Sequence, residues 1–298
     1  MTAPPPPSGD WPARYASALP DGRVRCGLCP HACRPAPGET GRCRVRRNAD
    51  GRLIADTYGR PVARQIDPIE KKPLRHYLPG SRTYSIGTYG CNFTCRFCQN
   101  DDLSRHGGAH QRALPFVAPE ALVEQAQRHG CRSIAFTYNE PTVFFEYMVD
   151  TARRARAAGL GTVLVSNGYI NPEPHAELYP LIDAANIDIK AFSDDFYARL
   201  CGARLAPVLD SCRAFKRTFG KHLEITNLLI PDYNDQPEMI GAMLDWVAAE
   251  LGRDTPLHFS AYFPRGGFTA PPTPAATVCR TADLARRQGF EHVYTGNL

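Results

Sequence analysis

The chain has 298 residues, 43% of them hydrophobic, enough to bury one large core and to exclude a disordered or fibrous class. Its formal charge of +5, with a pI of about 8.6, is spread over many arginines and not gathered into one run, so no nucleic-acid surface is expected. No apolar run is long enough to cross a bilayer, and Met1 to Gly9 lacks the basic and apolar segments of a secretion signal, so a cytoplasmic protein that does not engage membranes is expected.

Residues 1–20 read as a disordered, proline-rich lead, 21–80 as a cysteine-rich segment with a connector, and 81–298 as the main core. Eleven cysteines in such a chain suggest reduced thiols kept for metal chemistry rather than a disulfide framework. Seven of them fall in two clusters.

The first cluster is Cys26, Cys29, Cys33 and Cys43, in Cys26-Gly27-Leu28-Cys29-Pro30-His31-Ala32-Cys33 and Gly38-Glu39-Thr40-Gly41-Arg42-Cys43. Glycine and proline stop any helix or strand from running through it, which makes a metal its natural organiser. The spacing suits a tetrahedral zinc or an auxiliary iron–sulfur cluster, with His31 as a substitute ligand; a loop of unmetallated thiols is the plainer alternative. Next, Leu53 to Ala63 reads as a small hairpin. Asp67-Pro68-Ile69-Glu70-Lys71-Lys72-Pro73-Leu74 reads as a proline-bounded turn that presents two lysines, either as a local ion pair or as a substrate or partner contact.

The second cluster follows the short apolar strand Tyr84 to Gly87. Gly87-Thr88-Tyr89-Gly90-Cys91-Asn92-Phe93-Thr94-Cys95-Arg96-Phe97-Cys98-Gln99-Asn100 places Cys91, Cys95 and Cys98 at Cys-x3-Cys-x2-Cys. Three thiolates on one loop hold three corners of a cubane cluster and leave the fourth iron open. A structural zinc that borrows a fourth ligand is the alternative. The spacing, with the aromatic Phe97 before the last cysteine, resembles the radical S-adenosylmethionine (SAM) superfamily, in which the open iron of a [4Fe-4S] cluster chelates SAM.

From there strands and helices alternate. Strands are predicted at Ser133 to Tyr138, Thr162 to Ser166, Ile187 to Lys190, Leu223 to Leu229 and Leu257 to Tyr262, with helices at Pro119 to His129, Val143 to Ala158, Pro174 to Leu181, Ala206 to Phe219 and Pro237 to Leu251. A final helix, Ala275 to Gln288, leads to strand-like His292 to Thr295. This beat predicts an α/β fold, a partial (β/α)6 TIM-like barrel, with a flat doubly wound sheet as its rival. In both, ligands gather beyond the carboxyl ends of the strands.

The polar groups at those ends fit the resemblance. Glu140 suits the SAM ammonium, with Tyr138 and Asn139 presenting carbonyls just before it; Lys190 suits the carboxylate, with Asp188 holding Lys190 or the ammonium. Ser166 and Asn167 suit ribose, and Phe97 or Tyr138 adenine. Tyr138-Asn139-Glu140-Pro141, Ser166-Asn167-Gly168 and Asp188-Ile189-Lys190 stand where glycyl-radical-enzyme activases, such as the pyruvate formate-lyase activating enzyme, have related motifs, although their paired glycines before the glutamate are absent.

A closer resemblance is to the AmmeMemoRadiSam system radical SAM proteins. It is carried by Cys26-x2-Cys29-Pro30-His31-x-Cys33, the 67–74 segment, the 87–100 loop, Tyr138-Asn139-Glu140-Pro141 and Thr226-Asn227-Leu228-x-Ile230-Pro231. Members commonly continue past Gly296-Asn297 into a further Cys-x2-Cys tail; where that pair completes or covers a metal site, occupancy of the first cysteine cluster depends on it. The resemblance implies a flavodoxin- or ferredoxin-like electron donor, reductive cleavage of SAM to a 5′-deoxyadenosyl radical, and Memo-type and AMMECR-type partner proteins. Hydrogen abstraction from a small molecule or partner residue, activation of a glycyl-radical enzyme, and a non-catalytic metal-dependent scaffold are the three readings it leaves. Of the isolated cysteines only Cys201 invites a redox role; His258 reads as a satisfied histidine, and Pro264-Arg265-Gly266-Gly267-Phe268 as a turn.

Overall fold

The computed structural model describes residues 10–265 and 267–298. The expected lead from Met1 to Gly9, and Gly266 of the expected turn, lie outside them. From residue 10 the chain is tied down: Trp11 stacks on Tyr58 at 3.5 Å between ring centroids, and the Ala55 N–H donates to the Trp11 carbonyl at 2.8 Å. A short strand, β1 (Ala16–Ala18), then pairs antiparallel with β2 (Val24–Cys26). The disordered lead predicted through residue 20 is therefore corrected for residues 10–20, whose partners lie too far along the chain for local composition to reveal.

The hairpin predicted at Leu53 to Ala63 is also displaced. The real one joins β3 (Arg46–Ala49) to β4 (Arg52–Ala55). Its turn is Asp50-Gly51, both at positive φ (50° and 82°), which is the dipeptide that two-residue hairpin loops favour. Ala63 instead begins β5 (Ala63–Pro68), an antiparallel edge to the main sheet.

The main sheet has eight strands in the order β12-β11-β10-β9-β8-β7-β6-β5. These are β6 (Arg82–Gly87), β7 (Ser133–Phe136), β8 (Gly161–Ser166), β9 (Ala184–Asp188), β10 (His222–Leu229), β11 (Leu257–Ala261) and β12 (Val293–Gly296). From β6 to β12 every neighbouring pair is parallel, with helices such as Pro119–Arg128, Phe145–Ala157 and Pro237–Glu250 in the crossovers. Each strand of this set lies within about three residues of its predicted bounds, because buried parallel strands read as continuous apolar runs.

Flat, the sheet would hold the ends of β6 and β12 about 29 Å apart at ~4.8 Å per strand. One cavity nevertheless touches the loop after β6, the ends of β7 to β11, and Asn297 just past β12. The sheet must therefore curl, and the partial barrel prevails over the flat alternative. At the opposite end Glu224 accepts from the N–H groups of Arg75 and His76 (both 2.9 Å) and contacts His222 (2.9 Å) and His258 (2.5 Å). His258 is thus a satisfied buried histidine on the face away from the cavity.

Candidate active site

The loop after β6 is pinned from several sides. Asn139 donates from Nδ2 to the Gly90 carbonyl at 2.7 Å and accepts from the Thr88 N–H at 3.1 Å. The N–H groups of Thr94 and Arg96 donate to the carbonyls of Cys201 and Leu200 at 2.9 and 3.0 Å, and Asn92 donates to the Tyr169 carbonyl at 2.8 Å. Gly90 sits at φ +88°, where a Cβ would stand 2.5 Å from the Cys43 carbonyl oxygen, so only glycine lets this loop lie against the N-terminal cysteine segment.

The loop presents Cys91, Cys95 and Cys98 to a cavity of about 520 Å3, within the roughly 300–1,000 Å3 range of small-molecule sites. The sequence-predicted residues Phe97, Tyr138, Asn139, Glu140, Ser166, Asn167, Asp188 and Lys190 all line the same cavity. Their convergence follows from the topology, since each stands at the carboxyl end of a parallel strand or, for Phe97, in the loop that follows one.

Their hydrogen bonds refine the expected roles. Glu140 is buried; it accepts from the Thr142 N–H (2.9 Å) and the Ser166 hydroxyl (2.8 Å) on Oε1, and from the Asn167 N–H (2.8 Å) on Oε2. Burial pushes its carboxyl up, against the pull of those donors. Glu140 thus clamps the end of β8 to the start of the helix that follows Glu140 itself, while its carboxylate stands at the cavity wall. Asn167 spends its amide on Asn92 Oδ1 (2.8 Å) and on the Tyr169 N–H (2.9 Å), and so braces the cysteine loop.

Lys190 pairs with Asp188 at 2.8 Å. Burial by itself would lower its pKa, but Asp188 and the Cys95 thiol beside it carry the ammonium above its ordinary value, so it stays charged and faces an anion. Burial also raises the Cys91 and Cys98 thiols, whereas that of Cys95 is lowered, first by a hydrogen bond from Cys201. Cys201 is buried behind Cys95 and is not among the residues lining the cavity.

Tyr138, expected to support adenine, lines the cavity with its hydroxyl tethered to the wall. It occupies φ +74°, costly for a non-glycine residue, and its hydroxyl donates to Asp67 at 2.6 Å while Lys72 lies 4.6 Å from its ring centroid. Lys72 is buried and pairs with Asp67 at 2.7 Å. The turn-like 67–74 segment thus resolves into an ion pair at the cavity wall, where Lys71 and Lys72 both contribute. Phe97, packed on Phe196 and Phe268, is the aromatic wall without a polar tether.

Sequence reasoning did not assign Thr226, Ser260 or Asn297 to the cavity. The Thr226 hydroxyl is buried with no hydrogen-bond partner among the described residues, an orphan that a polar ligand would satisfy. Three thiols on one wall, a buried carboxylate, a charged lysine and an orphan hydroxyl are the donors and acceptors that a three-thiolate cluster and an amino-acid sulfonium nucleoside need. The residues present fit both groups.

A parallel partial barrel whose first loop holds three thiols over a polar cavity defines the class, and residues 85–246 match the Radical SAM superfamily; the chain belongs to it. That membership implies a [4Fe-4S] cluster and SAM.

The chain is 43% identical over 289 residues to the uncharacterized protein MJ0808 of Methanocaldococcus jannaschii, covering 96% of this chain and 85% of that one. A second protein of that organism, MJ1632, whose name assigns it provisionally to glycyl-radical enzyme activation, is 25% identical over 169 residues, covering 56% of this chain and 63% of that protein. Among solved structures, Streptococcus suis SuiB bound to S-adenosylmethionine superposes with a TM-score of 0.56 at 15% identity, over 71% of this chain and 50% of that one. A radical SAM methyltransferase from Sphaerobacter thermophilus gives 0.55 at 15% identity, over 74% and 67%. Among the described residues no helix is long and apolar enough to cross a membrane.

Proposed function

We propose that this chain is a radical SAM enzyme that abstracts hydrogen from a small molecule or protein residue, working with Memo-type and AMMECR-type proteins and a flavodoxin- or ferredoxin-like electron donor. The observation that carries this reading is the set of three thiols on one wall of a cavity whose other walls offer complementary groups to each end of SAM. When bound, the cluster and SAM supply one-electron cleavage of the C5′–S bond to a 5′-deoxyadenosyl radical.

The chain's own residues bind, orient and exclude water. Lys190 faces the carboxylate, Glu140 the N–H of the amino group, and Phe97 the flat base; Thr226 offers its hydroxyl to whichever polar group reaches it. Asn139, Asn92 and Asn167 keep the cysteine loop rigid, so the thiols meet the cluster without loop rearrangement.

Activation of a glycyl-radical enzyme is the second reading, favoured by the similarity to MJ1632. The Tyr138–Asp67–Lys72 group favours the first, because it fills the wall where the activases have paired glycines. Anaerobic reconstitution with iron and sulfide, reduction, and chromatography for 5′-deoxyadenosine test the enzymatic reading. Iron-loaded protein that never forms 5′-deoxyadenosine would leave the metal-dependent scaffold in its place. Adding a glycyl-radical partner and recording its EPR spectrum separates the two enzymatic readings.

A further inference from the structure

Behind the cysteine loop a second, enclosed cavity is lined by all four N-terminal thiols, Cys26, Cys29, Cys33 and Cys43, together with Arg46 and Asn92. Backbone donors are already aimed at the sulfurs: the Arg42 N–H donates to Cys33 Sγ at 3.4 Å, and those of His31 and Val45 to Cys29 and Cys43. Arg46 is only 2% exposed. It spends Nη1 on both oxygens of Glu146 at 3.0 Å and Nη2 on the Arg14 carbonyl at 2.6 Å, while its Nε–H is buried with no partner among the described residues. A buried donor left unmade beside four thiols calls for an acceptor in the cavity, and a thiolate-ligated metal group is an anion of the right kind.

The arrangement of the thiols indicates its size. Zinc needs four sulfurs at about 2.3 Å from one point, hence about 3.8 Å from one another. Among the described residues no three His, Cys, Asp or Glu side chains converge in that way. The same holds of Cys91, Cys95 and Cys98, whose family places them around the corners of a cubane. The N-terminal four likewise surround a space.

We infer that Cys26, Cys29, Cys33 and Cys43 bind a second iron–sulfur cluster, ligated at every iron corner and therefore closed to SAM, with the Arg46 Nε–H hydrogen-bonded to its sulfur. The two sites adjoin. His31 Nε2 lies 2.7 Å from the carbonyl oxygen of Asn92, the residue after Cys91, and the side chain of Asn92 bonds Asn167 in the first cavity. This inference does not depend on SAM cleavage and is read by metal content, so it stands or falls separately from the proposed reaction.

The test is iron, sulfide and zinc analysis, with EPR of the reduced state, on the full chain purified and reconstituted anaerobically. The parent should hold about eight irons and the triple variant Cys91→Ala/Cys95→Ala/Cys98→Ala about four, at four per cubane. In that variant the EPR signal should be unmoved by SAM, and Arg46→Lys should shift it. Cys26→Ala/Cys29→Ala/Cys33→Ala/Cys43→Ala should keep about four irons with a SAM-responsive signal; because this variant risks misfolding, the triple variant, which leaves the N-terminal site untouched, decides. One zinc per chain in the triple variant, no metal in it, or a SAM-responsive signal from it would each overturn the inference.

Discussion

Glu140 gives the sharpest test of how the cavity is built. Three donors end on its buried carboxylate: the Thr142 and Asn167 N–H groups and the Ser166 hydroxyl. Glu140→Ala leaves all three without an acceptor, at about 1–3 kcal/mol for each buried orphan. Ser166 can rotate its hydroxyl away and water can enter from the cavity, so the expected loss of stability is about 3–5 kcal/mol rather than the full sum. Glu140→Gln keeps one acceptor oxygen for Thr142 and Ser166 but turns an amide N–H toward that of Asn167, which costs about 1.5–3 kcal/mol, the worth of one charge-assisted bond. Urea unfolding of the metal-free chain measures both, and equilibrium dialysis of SAM against the reconstituted protein should show weakened binding in the same order. If both variants unfold within about 0.5 kcal/mol of the parent, Glu140 is not the clamp described here.

Burial raises the Glu224 carboxyl, but His222, His258 and the His76 N–H outweigh it and bring its pKa to about 2. Because the folded pKa is depressed, its contribution is complete above the unfolded value near 4.5 and is lost as pH falls toward about 2. The stability gap between the parent and Glu224→Gln should therefore shrink on acidification from pH 6 to pH 2.5, and a constant gap contradicts the assignment. Tyr138→Phe should cost about 1–2 kcal/mol in urea unfolding through the lost bond to Asp67, whereas an unchanged midpoint would show that Lys71 and Lys72 satisfy Asp67 without it.

Most of the cavity was legible because parallel topology puts motif residues at strand ends. Cys91, Glu140, Ser166 and Lys190 needed only correct strand bounds to be placed together. What stayed hidden depended on distant partners. Trp11 is ordered by Tyr58, and β5 by β6, pairings that a local window does not contain. Thr226 is one of several polar residues on β10, with His222, Glu224 and Asn227, and only its hydroxyl's burial without a partner at the cavity marks it. The Asp50-Gly51 hairpin is a different case, since its turn signal was present in the sequence and the alternating run that follows outweighed it. The bonds of the Tyr138 hydroxyl to Asp67 and of the Asn139 amide to the cysteine loop were not legible, because strand-end position says that a side chain reaches the cavity and does not say which neighbours it will bond.

The central claim is that three thiolates leave one iron open and that SAM takes it through its amino and carboxylate groups. EPR-detected hyperfine spectroscopy of the reduced protein with SAM labelled by 15N at the amino group and 17O at the carboxylate measures this directly. The account predicts couplings from both labels, lost in Cys91→Ala/Cys95→Ala/Cys98→Ala and weakened in Lys190→Met. A cluster that shows neither coupling because a fourth side chain such as Cys201 ligates it would contradict the account.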